Sequence, residues 1–148
     1  SHMVDMEDVI ADDFIYSPLA VNIICEIFNI GIETAVLYQR LLMRCLFDSL
    51  QPYIPLLILS GDDLFVADDS IMKKLSVSIA TVSPVSGLIH CGLNIKQPAI
   101  SIPTVGLEEL LETNDLKEIV HVIEGALRTF KHEVESIKSA AVKVRPVI

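Results

Sequence analysis

The chain has 148 residues, 51% of them apolar, which is material for one domain with an ample core. Its formal net charge is −9 and its sequence pI is near 4.7. No cluster of Lys and Arg is present to displace counterions from a phosphate backbone, so nucleic acid is not an expected partner.

Ser1-His2-Met3 reads as a remnant of tag removal, outside the fold. Residues 4–16 are acidic and without clear periodicity, an expected lead-in. No basic, apolar and small-residue succession of a signal peptide opens the chain, and a cytoplasmic location is expected. A single domain is expected over 17–148. Ser17-Pro18 supplies a helix start, with Ser as N-cap and Pro at the first helical position. That helix is expected to run over 17–50, since only Gly31 interrupts it before Pro52. A glycine costs about 1 kcal/mol relative to Ala in a helix interior, so Gly31 is expected to mark a close backbone approach by a neighbour or a partner. Residues 19–47 form the stretch long enough to test for membrane insertion, and Glu26, Glu33, Arg40 and Arg44 interrupt it. Each such charge costs about 2.5–3.5 kcal/mol at a bilayer centre, so no insertion is expected.

On a helix, Asn22, Glu26, Asn29 and Glu33 fall within an arc of about 60° at roughly 100° per residue. Val21, Ile24, Cys25, Phe28, Ile32, Ala35 and Val36 surround them. So narrow a polar line on an apolar helix reads as a site; the plain alternative is a solvent-facing side.

A sheet is expected over 53–102. Tyr53–Leu59 is short, apolar and bounded by prolines and Ser60-Gly61, which reads as a strand. Asp62, Asp63, Asp68 and Asp69 fit no EF-hand spacing and read as solvated turn acids. Leu75, Val77 and Ile79 alternate with small residues, and Ile89, Cys91, Leu93 and Ile95 alternate with His90, Gly92 and Asn94. With a Ser83–Gly87 turn between them, these make an antiparallel pair with one buried and one more polar face. Ala99–Ile102, after Pro98, adds a further strand. The C-terminal helical part is expected over 107–140, its long helix starting near Asn114 and ending near Ala140. Leu116, Val120, Ile123, Leu127, Phe130, Val134 and Ile137 repeat by four and three, a seam for the sheet, for the first helix, or for a homodimer. Cys25, Cys45 and Cys91 lie in apolar stretches without CxxC spacing and read as reduced core thiols. His90, His121 and His132 lie on separate elements without ligand spacing, so neither a metal nor a cofactor of the chain's own is expected. The expected fold class is α+β: two long helices packed on an antiparallel β-sheet.

Glu26-Ile27-Phe28-Asn29-Ile30-Gly31 resembles the Glu-x-x-Asn helix motif of the CheC/CheX/FliY phosphatases, and Pro52 follows Asn29 after the family's twenty-two intervening residues. Leu57–Leu64 resembles the strand and turn after that helix, and Asn22 stands where the family has Asp or Ser. The resemblance covers about residues 20–95. It implies a CheX/CheC-like fold and a protein phosphatase that removes phosphate from the aspartyl phosphate of a CheY-like response regulator, in chemotaxis or other two-component signalling. Asn29 would orient the attacking water and Glu26 would hold the partner's lysine. Asn22, Glu33 and Pro52 would line the contact, and the divalent metal would belong to the receiver domain. The second reading is a non-catalytic interaction or dimerisation module, a degenerate CheC-like domain or a HORMA-like adaptor. For the latter, Leu37-Tyr38-Gln39-Arg40 resembles the first HORMA helix and Leu116–Ile137 the central one.

Overall fold

The computed structural model describes the backbone of residues 10–16 and the whole of residues 20–97 and 102–144. Val21, Ile23, Cys25 and Ile27 alternate with more polar neighbours, and this period of two makes residues 20–28 a strand, β2 (Ala20–Phe28), with those four side chains fully buried. The expected helix over 17–50 therefore splits. Its second part is α1 (Ile32–Leu50), and Gly31 is the exposed N-cap of that helix, with nothing near the place a Cβ would take. No neighbour approaches it. Ser17-Pro18 and residues 1–9 fall outside the described residues. The expected lead-in contains β1 (Ile10–Tyr16), antiparallel to β2 with Asp13 opposite Ile24.

After α1 the chain turns, and the strand expected from Tyr53 begins later, as β3 (Leu57–Ser60). β4 (Asp63–Asp68) and β5 (Ile71–Lys74) pair with it into a three-stranded sheet in the order β3-β4-β5. Gly61, at φ +62°, makes the tight connection between β3 and β4, a conformation costly for side-chain-bearing residues. β6 (Ser76–Val82) and β7 (Ser86–Asn94) join β1 and β2 in a second, four-stranded sheet, β1-β2-β7-β6. The expected strand at Ala99–Ile102 lies almost wholly outside the described residues. α2 (Leu107–Leu110) is one turn, and α3 (Leu116–Lys143) follows.

The expected arrangement of two long helices side by side on one sheet does not form. Two sheets are present, and α1 sits between the inner face of the larger sheet and α3. α1 is consequently buried on two sides, through Ala35, Tyr38, Leu42, Met43, Leu46 and Leu50. The heptad-spaced residues of α3 that meet it, among them Ile123, Leu127, Phe130 and Val134, are buried, whereas Ile137 is 43% exposed. Among the described residues no helix is long and apolar enough to cross a membrane.

The β6–β7 pair forms, but with the faces of β6 the other way round from the expected one. Val77 pairs with Gly92 and Ile79 with His90, so these apolar side chains lie outward, 54% and 56% exposed. Ser76 and Ser78 turn inward because the neighbours there are polar. Buried Ser76 donates to Asp63 Oδ1 at 2.9 Å and accepts from Leu64 N–H at 2.8 Å. Buried Gln39 of α1 donates to Ser78 Oγ at 2.7 Å, and Ser78 donates to the Asp62 carbonyl at 2.6 Å. Asp63, expected as a solvated turn acid, is instead 7% exposed and paired with Lys74 at 3.1 Å.

Cys25, Cys45 and Cys91 are free and buried. Burial pushes the Cys45 thiol up to about 11, with the Asp48 and Glu133 carboxylates adding to the effect. Cys91 is raised as well, chiefly by burial.

Two outcomes are expected. Ser76→Ala strands the Leu64 N–H and takes a donor from Asp63, so urea unfolding should show a loss of about 1–3 kcal/mol; a change below about 0.5 kcal/mol, the level of an ordinary surface substitution, would contradict the network. Below the ordinary thiol range Cys45 is protonated folded and unfolded alike; above it the unfolded chain ionises first. Stability should therefore fall as pH climbs from about 8.5 toward about 11. Urea midpoints across that range should fall less steeply in Cys45→Ala, and an unchanged slope would refute the assignment.

Candidate functional site

Because the odd-numbered residues of β2 face the core, Asn22, Ile24, Glu26 and Phe28 point out of the opposite face of the sheet. Register places Gly92, His90, Leu88 and Ser86 of β7 beside them, and Val77, Ile79 and Thr81 of β6 beyond. An antiparallel sheet with a wet face normally presents polar residues there. This one presents Ile24, Leu88, Ile79 and Val77, with His90 directly between Ile24 and Ile79, beside two polar pairs.

At one end His90 Nε2 lies 3.0 Å from Asn22 Oδ1. With the amide oxygen as acceptor, His90 carries its proton on Nε2, which leaves Nδ1 of the neutral ring as an acceptor. Gly92 makes room for this pair, since a Cβ there would come within 3.2 Å of Asn22 Oδ1 and 3.3 Å of Val77. At the other end fully buried Ser86 donates to Glu26 Oε2 at 2.6 Å. Ser83 Oγ is 2.7 Å from Ser86 Oγ. The one proton of Ser86 goes to the carboxylate, so Ser83 is the donor of that second bond and the chain runs Ser83 to Ser86 to Glu26. Glu26 Oε1 takes no part in this chain. Four residues of strand put Asn22 and Glu26 about 14 Å apart along β2.

Of the expected site residues, the structure thus brings Asn22 and Glu26 onto one face, joined by His90 and Ser86. It does not bring the other three there. Asn29 lies in the turn after β2 at φ +62°, a conformation Asn tolerates better than most residues, and its N–H donates to the Val85 carbonyl at 2.9 Å. Glu33 sits in the first turn of α1, where a carboxylate complements the helix dipole. Pro52 is past the far end of that 19-residue helix, about 28 Å away at 1.5 Å per residue. The helix-face geometry expected of a Glu-x-x-Asn motif is therefore absent: Glu26 is on a strand and Asn29 in a turn. His90 and Ser86 could not be singled out from sequence, because only the register of β7 against β2 reveals their partners.

The family model described as "Domain of unknown function (DUF366)" matches residues 1–145. The chain belongs to the DUF366 family. It is 33% identical to MJ0805 of Methanocaldococcus jannaschii, over 99% of this chain and 66% of that protein. A solved Pyrococcus horikoshi protein of unknown function is 34% identical, with a TM-score of 0.70 over 87% of this chain and 65% of its own. This DUF366 chain thus spans slightly less than two thirds of each. A biotin protein ligase of Aquifex aeolicus has a TM-score of 0.55 at 16% identity, over 78% of this chain and 55% of its own. A bi-partite lipoate protein ligase of Thermoplasma acidophilum has 0.59 at 8% identity, over 76% and 51%. At such identities the likeness is one of fold, and the fold is that of biotin and lipoate protein ligases. These findings overturn the CheC/CheX resemblance, the HORMA alternative and the phosphatase and signalling functions drawn from them.

Double-mutant cycles should separate the two pairs: Asn22→Ala with His90→Ala coupling by about 1 kcal/mol, and Glu26→Ala with Ser86→Ala by up to about 3 kcal/mol, since its acceptor is ionised. Additive effects in both cycles would show that the pairs are not formed in solution.

Proposed function

We propose that the outer face of the four-stranded sheet binds a small ligand that is apolar in the middle and polar, but uncharged, at both ends. The observation that supports this is the set of exposed Ile24, Ile79 and Val77 and half-buried Leu88 around His90, next to the Asn22–His90 and Glu26–Ser86 pairs. Ligand sites are typically apolar surfaces with a few convergent polar groups. The ligand class follows from the fold neighbours, since an Aquifex aeolicus biotin protein ligase is solved with biotin and ATP and a P. falciparum LipL1 with lipoate. A biotinyl group suits the polar pairs better than a lipoyl group: its ureido ring offers N–H donors to the Glu26 carboxylate and a carbonyl, whereas the dithiolane ring of lipoate offers neither.

Among the described residues the face carries no Lys or Arg, and the Glu26 carboxylate repels a free acid. Recognition of the amide-linked group is therefore favoured over that of the free acid, and binding over nucleotide-dependent ligation. The test is calorimetric titration with biotin amide, biotin and lipoamide. Biotin amide should bind most tightly. Ile79→Glu should abolish its binding with little change in stability, because Ile79 is 56% exposed. Bound ligand at a hundred times its Kd should stabilise the fold by about 2.7 kcal/mol. Absence of binding by all three, or binding indifferent to Ile79→Glu, would refute the proposal.

A further inference from the structure

A cleft of about 600 Å³ opens between the turn after α1, the segment following α2 and the first turns of α3. No residue of β2, β6 or β7 lines it, so it is independent of the sheet face. Its volume is within the usual range of small-molecule sites, about 300–1,000 Å³. Leu110, Leu111 and Val122 supply an apolar wall, and the ring of Tyr53 is 60% exposed beside them. Glu112 and Glu118 also line it, with no Lys or Arg among the lining residues. Neither carboxylate has an ion-pair partner among the described residues, although the ion pairs Arg44–Asp48 and Arg128–Glu124 form elsewhere on these two long helices.

We infer that this cleft is a binding site for a small aliphatic amine, its alkyl chain against Leu110, Leu111 and Val122 and its ammonium group between Glu112 and Glu118. Three features select that chemistry. Two unpaired carboxylates repel an anionic ligand and accept charge-assisted hydrogen bonds from an ammonium donor. The exposed face of Tyr53 attracts a cation. The apolar wall requires a chain and not a bare inorganic ion. His121 also lines the cleft.

The experiment is an amide-resolved NMR titration at fixed pH with hexylammonium, hexanol and hexanoate as probes. Hexylammonium should give saturable shifts confined to the amides of residues 53, 54 and 110–122, weakened by salt. Hexanol should bind at least about tenfold more weakly, the loss expected for one charge-assisted bond, and hexanoate weaker still. Glu112→Gln and Glu118→Gln should each weaken hexylammonium severalfold while remaining folded, Glu118→Gln with a slightly lower melting temperature because Glu118 also lies in the first turn of α3, where a carboxylate complements the helix dipole. Equal binding of hexanol, no saturable shift with hexylammonium, or folded Glu→Gln variants that bind as before would each overturn the inference. Tighter binding of a lysine-containing peptide than of hexylammonium would overturn it too, by assigning the cleft to a protein side chain.

Discussion

The constraint on which the rest of this structure depends is the two-residue period of β2 and β7 against the core. Val21, Ile23, Ile27, Ile89 and Leu93 are at most 1% exposed on that inner face, and together contribute about 8–15 kcal/mol of apolar burial as an upper estimate. A slip of one residue in either strand would exchange them for Asn22, Ile24 and Glu26, or for Leu88, His90 and Gly92. The core would then hold a carboxylate and an imidazole, and the burial would be lost. The outward placement of Asn22, Glu26 and His90 is thus a consequence of core packing, before any ligand is considered.

β6 obeys a different rule from its neighbours. Its inward residues are Ser76 and Ser78, and they are held there by hydrogen bonds to Asp63, Leu64, Asp62 and Gln39. A hydroxyl is tolerated inside when its partners are in place, and leaving those partners unpaired costs more than the bond contributes. This polar seam joins α1, the smaller sheet and the larger sheet. Its second effect is on the surface, where it leaves Val77 and Ile79 facing outward next to Gly92 and His90. These two apolar side chains lie on the outer face because the polar residues of β6 are needed within.

The sheet face and the α3 cleft differ in electrostatic character. On the face, the Glu26 carboxylate already accepts from Ser86, and the Asn22 amide is engaged by His90. In the cleft, Glu112 and Glu118 have no ion-pair partner among the described residues, in a protein whose net charge is −9. The first arrangement suits neutral hydrogen-bonding groups and the second a cation. They share no residue, which allows each to be altered without the other.

Several features were legible from the chain alone. The four-and-three spacing from Leu116 marks α3, because only a helix gathers such residues on one side. A turn beginning at Ser83, though shorter than the expected Ser83–Gly87 because Ser86 and Gly87 already belong to β7, the antiparallel β6–β7 pair and the buried free thiols follow from composition and alternation. The strand at 20–28 was legible too, in the alternation of Val21, Ile23, Cys25 and Ile27. It was obscured because Asn22 and Glu26, four apart, share a face on a helix and on a strand alike. Asn29 and Glu33 share it only on a helix, and Gly31 marks where the helix begins. What the residues could not disclose is everything set by register and by the neighbours across it: that His90 meets Asn22, that Ser86 meets Glu26, that Val77 and Ile79 turn outward, and that α3 lies on α1. Local sequence determined the period of each element, since backbone geometry alone imposes it. Tertiary structure decided which face of each element is buried and which chemical groups meet, because those depend on hydrogen-bond partners and apolar surfaces supplied from distant parts of the chain.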